Sequence, residues 1–141
     1  MSIASDLLQR HIDTLVANNA EWRTLLAKDI VWELAYAPSI GHPAQLTGRD
    51  EVVRFAEWFV GAVENFRFSQ TRMYVLTDAE QAVAEVKGEG RIKETGRTYR
   101  QDYVVFLRAA DGKIAHIREY FDPVRAARAL NTPIPNVTTP W

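Results

Sequence analysis

Among the reactive side chains of this 141-residue sequence, Glu119 is the one whose neighbours would shelter it. Residues 113–122 alternate as a strand does, and a strand sends successive side chains to opposite faces. Ile117, Glu119 and Phe121 therefore share one face, while His116, Arg118 and Tyr120 share the other. A carboxyl group between two apolar neighbours loses hydration, which disfavours its charged form, raises its pKa and lets it exchange protons with a substrate near neutral pH. On an exposed or subunit-facing strand the same residue would instead be the ion-pair partner of an arginine. On the preceding strand Tyr99, Gln101, Tyr103 and Val105 lie on one face, so Gln101 and Tyr103 are candidate donors to a carbonyl, and Arg100, Asp102, Val104 and Phe106 lie on the other. His11 sits at the edge of an apolar helical stripe, where an imidazole is either a proton donor to a ligand or a satisfied core residue.

The elements that would position these groups follow from periodicity. From Ser5 to Ala17, Leu8, Ile12 and Leu15 recur at helical spacing, and Asn18 and Asn19 then offer caps for a short helix over Ala20–Ala27. A strand over Ile30–Tyr36 ends at Pro38, Gly41 and Pro43; Trp32 and Tyr36 alternate with Glu33, so either set can face inward. Thr47-Gly48-Arg49-Asp50 has capping-box spacing, and the helix it opens places Val52, Phe55, Ala56, Phe59 and Val63 on one face, with Trp58 at the rim. Four strands follow, over 66–77, 82–92, 98–108 and 113–122, separated by turns at Thr77-Asp78, Thr95-Gly96 and Asp111-Gly112. Val124–Leu130 can make one or two helical turns, and the prolines at 133, 135 and 140 keep residues 131–141 extended as a tail. Three helices with an early strand, then an antiparallel meander, define an α+β class. The expected shape is a cone-shaped barrel in which the helices pack on a strongly curved, mainly antiparallel sheet and leave a pocket at its open end.

Composition narrows the partners. One domain spanning 1–141 is the expectation, since 47% hydrophobic and 25% charged residues match an ordinary globule. With 17 basic against 18 acidic side chains, no global field draws nucleic acid or an anionic membrane. There is no cysteine, and His11, His42 and His116 lack metal-ligand spacing, so no metal or cofactor is expected. No uncharged run is long enough to span a bilayer and no apolar signal core opens the chain, which leaves a cytoplasmic location as the expectation.

Several strings carry a more specific likeness. AEVKGEGRI at 84–92, Tyr99, DGKI at 111–114, REYFDP at 118–123 and ALNTPIP at 129–135 resemble the phenazine biosynthesis A/B proteins. These belong to the nuclear transport factor two-like superfamily, with the SnoaL-like polyketide cyclases and the ketosteroid-isomerase-like proteins. The resemblance implies a curved-sheet cone, a homodimer and a ligand cavity between sheet and helices, entered by the glutamate of the R-E-F/Y motif, here Glu119. In the phenazine proteins helix three carries a histidine and, one turn later, a serine; here Phe55 and Phe59 stand at those positions and offer stacking surface instead of hydrogen bonds. The isomerase's aspartate base has no counterpart between Ala35 and Gly41, and its first-helix tyrosine corresponds to His11.

TGRTY at 95–99 with IREYFD at 117–122 also resembles the limonene-epoxide hydrolases, in which an acid, an arginine and a second acid activate water. Glu119 matches one acid, and with one gap Lys87 and Glu89, on the strand face of Glu85, fall at the other two positions; on an outer strand face the same two residues are solvated charges instead. Three functions result: cofactor-independent acid–base chemistry on a ring-bearing metabolite, water addition to an epoxide, and binding of an aromatic molecule without turnover. The expected catalytic groups are Glu119, Tyr103 and His11. Phe55, Phe59, Trp58, Trp32, Tyr36, Gln101, Ile117, Phe121 and Glu85 are the expected contacts to a hydrophobic or aromatic substrate, with a homodimer formed through the outer sheet face.

Overall fold

The computed structural model describes residues 2–134. The expected tail therefore lies largely outside the described residues. Helices α1 (Ile3–Thr14), α2 (Asn19–Thr24), α3 (Arg49–Ala62) and α4 (Pro123–Leu130) accompany strands β1 (Leu26–Leu34), β2 (Gln45–Thr47), β3 (Val63–Val75), β4 (Gln81–Ile92), β5 (Thr98–Ala110) and β6 (Lys113–Tyr120). The strands form one curved, unclosed sheet in the order β2-β1-β6-β5-β4-β3. Every neighbouring pair is antiparallel except β1 with β6.

Local chemistry sets several boundaries. α1 begins at Ile3, two residues before the expected start, because Ser2 and Ser5 cap each other reciprocally: the Ser5 N–H donates to Ser2 Oγ at 3.1 Å and the Ser2 N–H to Ser5 Oγ at 2.8 Å. The expected Thr47–Asp50 capping box does not form. Gly48 is the N-cap, at a φ of 88° that favours glycine, and Glu51 reaches back to the Thr47 N–H at 2.8 Å. Thr47 belongs to β2, a strand absent from the sequence reading, which pairs Trp32 with Leu46.

The first long strand starts and ends earlier than expected, so Tyr36 falls beyond it, at the entrance to a single 3-10 turn over Ala37–Ile40. In β6 the register shifts against β5, with Arg108 opposite His116 and Ala109 opposite Ile114. The extra residue, Ala115, lets both Ile114 and Ile117 turn inward, each fully buried. These pack with Leu8, Trp22, Leu26 and Ile30 in the core between the inner sheet face and α1 and α2. Beyond this plug, towards α3 and α4, the inner face stays open. Among the described residues no helix is long and apolar enough to cross a membrane.

Candidate active site

A cavity of about 150 Å³ lies where α3, α4 and the loop before β2 lean over the inner sheet face. α3 contributes Phe55, Trp58 and Phe59, β1 Trp32 and Leu34, β5 Tyr99 and Tyr103, and α4 Ala126 and Leu130. Phe68 of β3 and His42 with Pro43 of the loop complete much of the wall. Glu119, near the end of β6, and Phe121, just beyond it, line the cavity too. The helical face is equally regular. Val52 and Ala56 are buried beneath α3, while Phe55 and Phe59, on the same stripe, are half-buried against the cavity.

Glu119 is the chemical focus of this wall. Its carboxyl group makes no hydrogen bond or ion pair among the described residues, and loss of hydration pushes its pKa from an ordinary 4.5 up to about 8. The group is half-buried by surface because the cavity itself reaches it, although protein packs around it on every other side. Near neutral pH the carboxyl is mostly protonated and within reach of its titration, the condition that general acid–base work needs.

Two phenols sit beside it. Val105 stands opposite Glu119 across the β5–β6 ladder, so Tyr103 is its diagonal neighbour on the same face. The Tyr103 and Tyr99 hydroxyls are 3.0 Å apart, and Gln101 Nε2 donates to the Tyr99 oxygen at 3.3 Å. Burial, partly offset by the bonds from Tyr103 and Gln101, pushes Tyr99 up to about 12. Tyr103 is raised well above its usual range by burial and by the nearby Tyr99 and Glu119 charges. Both phenols therefore stay protonated and serve as hydrogen-bond donors. Small residues on β4 make room for these rings: a Cβ added to Gly88 would lie 2.5 Å from the Phe66 ring and 2.9 Å from Tyr103.

Five expected contacts do not line the cavity. His11 is buried behind it, accepting the Trp22 Nε1–H at Nδ1 (2.9 Å) and packing edge-on against Trp32 with centroids 5.6 Å apart. That bond leaves the other ring nitrogen to carry the proton, and burial lowers the imidazole pKa to about 4, so it is a neutral core residue. Gln101 is also buried but spends its amide inside the protein. Its oxygen accepts the Asp122 N–H (2.8 Å) and the Asp102 N–H (3.1 Å), and its nitrogen also donates to the Asp122 carbonyl (2.9 Å), fixing β5 to the start of α4. Ile117 is fully buried in the plug beneath the cavity. Tyr36 is 50% exposed and packs against Tyr120 on the outer sheet face, because β1 has ended before it.

Glu85 is exposed, since Ala82, Ala84, Val86 and Gly88 form the inner face of β4. The same parity puts Lys87 and Glu89 outside, where Lys87 bonds Asp102 at 2.7 Å and Glu89 faces Arg100 at 3.4 Å. No lysine or arginine lines the cavity among the described residues, so the acid–cation–acid arrangement of an epoxide hydrolase is not assembled around Glu119. No local sequence pattern places His42, Phe68, Ala126 and Leu130 on the cavity, since their approach depends on tertiary folding. Tyr99 had a local signal, the shared face with Tyr103. Among the described residues no three histidine, aspartate or glutamate side chains converge in a way that could hold a metal ion.

A curved, unclosed sheet with helices packed over one face is the fold shared by ketosteroid-isomerase-like proteins. Within that fold class the chain belongs to the SnoaL-like domain family, which matches residues 8–117. It is 29% identical over 128 residues to a PhzA/B-like protein of Pseudomonas aeruginosa, covering 90% of this chain and 89% of that one. The structure of a candidate isomerase from Bacillus subtilis superposes with a TM-score of 0.83 at 24% identity, over 94% of this chain and 95% of that chain. The phenazine biosynthesis-related protein PhzB2 of Pseudomonas aeruginosa gives 0.79 at 20% identity, over 96% and 85%. A Mycobacterium tuberculosis protein solved in complex with estradiol-17β-hemisuccinate gives 0.72 at 19% identity, over 86% and 95%.

Proposed function

We propose that this chain is a small cytoplasmic enzyme, one domain over its length, that performs cofactor-independent acid–base chemistry on a ring-bearing metabolite. Glu119 moves the proton, as in an isomerisation, cyclisation or condensation, and Tyr103 donates a hydrogen bond to the oxygen on which negative charge develops. Tyr99 holds the Tyr103 hydroxyl in place. Trp32, Phe55, Trp58, Phe59 and Phe121 give the ring its stacking surface. The observation that carries this reading is a carboxyl group with no protein partner among the described residues, facing an aromatic cavity and poised to titrate near pH 8. Membership of the SnoaL-like domain family supports it.

The reading includes a homodimer through the outer sheet face. There Val104, Phe106 and Tyr120 are half-buried in the single chain, and the Arg118 guanidinium lies 4.8 Å from the Phe106 ring centre. Light scattering on the purified chain should give twice its 16.0 kDa mass.

The catalytic claim is tested by following deuterium exchange at the carbon next to the carbonyl in small cyclic ketones and enones by NMR. The protein should accelerate exchange with at least one of them, and Glu119→Gln, folded by circular dichroism, should abolish the acceleration. Undiminished exchange by the variant ends the reading. A ring compound that binds but never exchanges would make the chain a binder instead.

A further inference from the structure

We propose that the cavity selects a single-ring ligand bearing a positively charged nitrogen and rejects anions of the same size. This rests on the reading that Glu119 meets the ligand, and adds the ligand's charge and size. Among the described lining residues Glu119 is the one carboxyl, and no lysine or arginine balances it. Much of the cavity wall is aromatic, with aliphatic side chains such as Leu34, Leu46 and Leu130 between the rings. Trp32 meets Phe55 edge-on at 5.5 Å, Phe55 lies 5.9 Å from Trp58, and Phe59 meets Tyr99 at 6.4 Å with the planes 71° apart. Rings turned to one another at such angles wall a space from several sides, and the negative face of an aromatic ring attracts a cation placed over it.

The charge balance favours one class of occupant. An anion would lose its water and gain no compensating charge, beside a group that itself becomes negative. A neutral ring gains apolar burial and one or two hydrogen bonds. A cation gains the same burial, the ring faces and an ionised Glu119, which gives up its proton as the ligand enters. With the carboxyl near pH 8, that ionisation is a small penalty at neutral pH, about a factor of ten. The 150 Å³ volume admits one substituted ring; an apolar cavity of about this size holds benzene, whereas a fused four-ring frame does not fit the enclosed part.

The titratable groups that share the space with Glu119 are Tyr99 and Tyr103 from β5 and His42 from the loop. The lining residues of β1, α3 and α4 carry no charge, and His116 and Arg118 of β6 point to the opposite sheet face.

Three probes of nearly equal size separate the possibilities: phenyltrimethylammonium, tert-butylbenzene and benzoate, titrated against the tryptophan fluorescence of the full chain, since Trp32 and Trp58 line the cavity. The cation should bind tighter than the other two at pH 9, and its affinity should fall roughly a hundredfold by pH 6 as the ionised fraction of Glu119 falls. The same fall should persist in His42→Asn, which excludes the imidazole as its source. Glu119→Gln, which mimics the neutral carboxyl, should weaken the cation roughly a hundredfold at pH 9 and leave tert-butylbenzene unchanged. Equal or tighter binding of tert-butylbenzene or benzoate at pH 9, an unchanged cation affinity in Glu119→Gln, or no binding of any probe would each overturn the proposal. Deuterium exchange and its loss in Glu119→Gln decide the acid–base reading separately, so the two can fail independently.

Discussion

Glu119 and Asp102 are carboxyl groups on neighbouring strands of one sheet, and the sheet treats them in opposite ways. Glu119 points inward, without a charged partner, and desolvation pushes its pKa up to about 8. Asp102 points outward, bonded to Lys87 at 2.7 Å and Arg125 at 2.8 Å, and those cations hold its carboxyl below the usual range. Strand parity alone turns one into the cavity and the other out to a solvated ion-pair network.

The largest expected difference between the two faces is in activity. Glu119→Gln should lower proton exchange roughly hundred- to ten-thousandfold, and Asp102→Asn should change it less than about twofold, both read by deuterium exchange. Packing should show the next largest contrast. Gly88→Ala drives a Cβ into the Phe66 and Tyr103 rings and should cost about 1–3 kcal/mol in urea denaturation, whereas Glu85→Ala, on the outer face of the same strand, should stay within about 0.5 kcal/mol.

Stability against pH sharpens the comparison further. Between about pH 4.5 and 8 the folded chain keeps the Glu119 proton that the unfolded chain has lost, so this group makes stability fall as pH rises. Between about 6.5 and 4 the unfolded chain takes a proton that buried His11 refuses, so His11 makes stability fall as pH falls. The two oppose each other from about 4.5 to 6.5, and Glu119 acts alone above that. Urea midpoints should therefore decline from pH 6.5 to 8 in the wild type and stay flat there in Glu119→Gln. In His11→Phe they should decline across the whole range from 4.5 to 8. The ion pair on the outer face should also matter little: Lys87→Ala should cost no more than about 1 kcal/mol, because the Lys87 and Asp102 side chains are each about half exposed.

Which parts of this were legible depends on how local their cause is. The shared faces of α3 and β6 follow from periods of 3.6 and 2; that those faces meet a cavity is what the family resemblance implies, and Phe55, Phe59, Glu119 and Phe121 do line it. β4 misleads because its inner positions, Ala82, Ala84 and Gly88, are small and do not read as a core face, so Glu85 is assigned inward. His11 and Gln101 are inside as their surroundings suggest, but their partners, Trp22 and the Asp122 backbone, are supplied by the fold and occupy them. Tyr36 depends on where β1 stops, a boundary set by its pairing with β2 and β6. His42, Ala126 and Leu130 reach the cavity through a loop and a helix whose approach no local pattern encodes.

The central claim is that the inward carboxyl is sheltered enough to hold its proton near neutral pH. Carbon-detected NMR titration of the glutamate side chains, with the Glu119 signal assigned by its loss in Glu119→Gln, measures this directly. A midpoint near 8 is the predicted result, and a midpoint near the ordinary 4.5 would contradict the account.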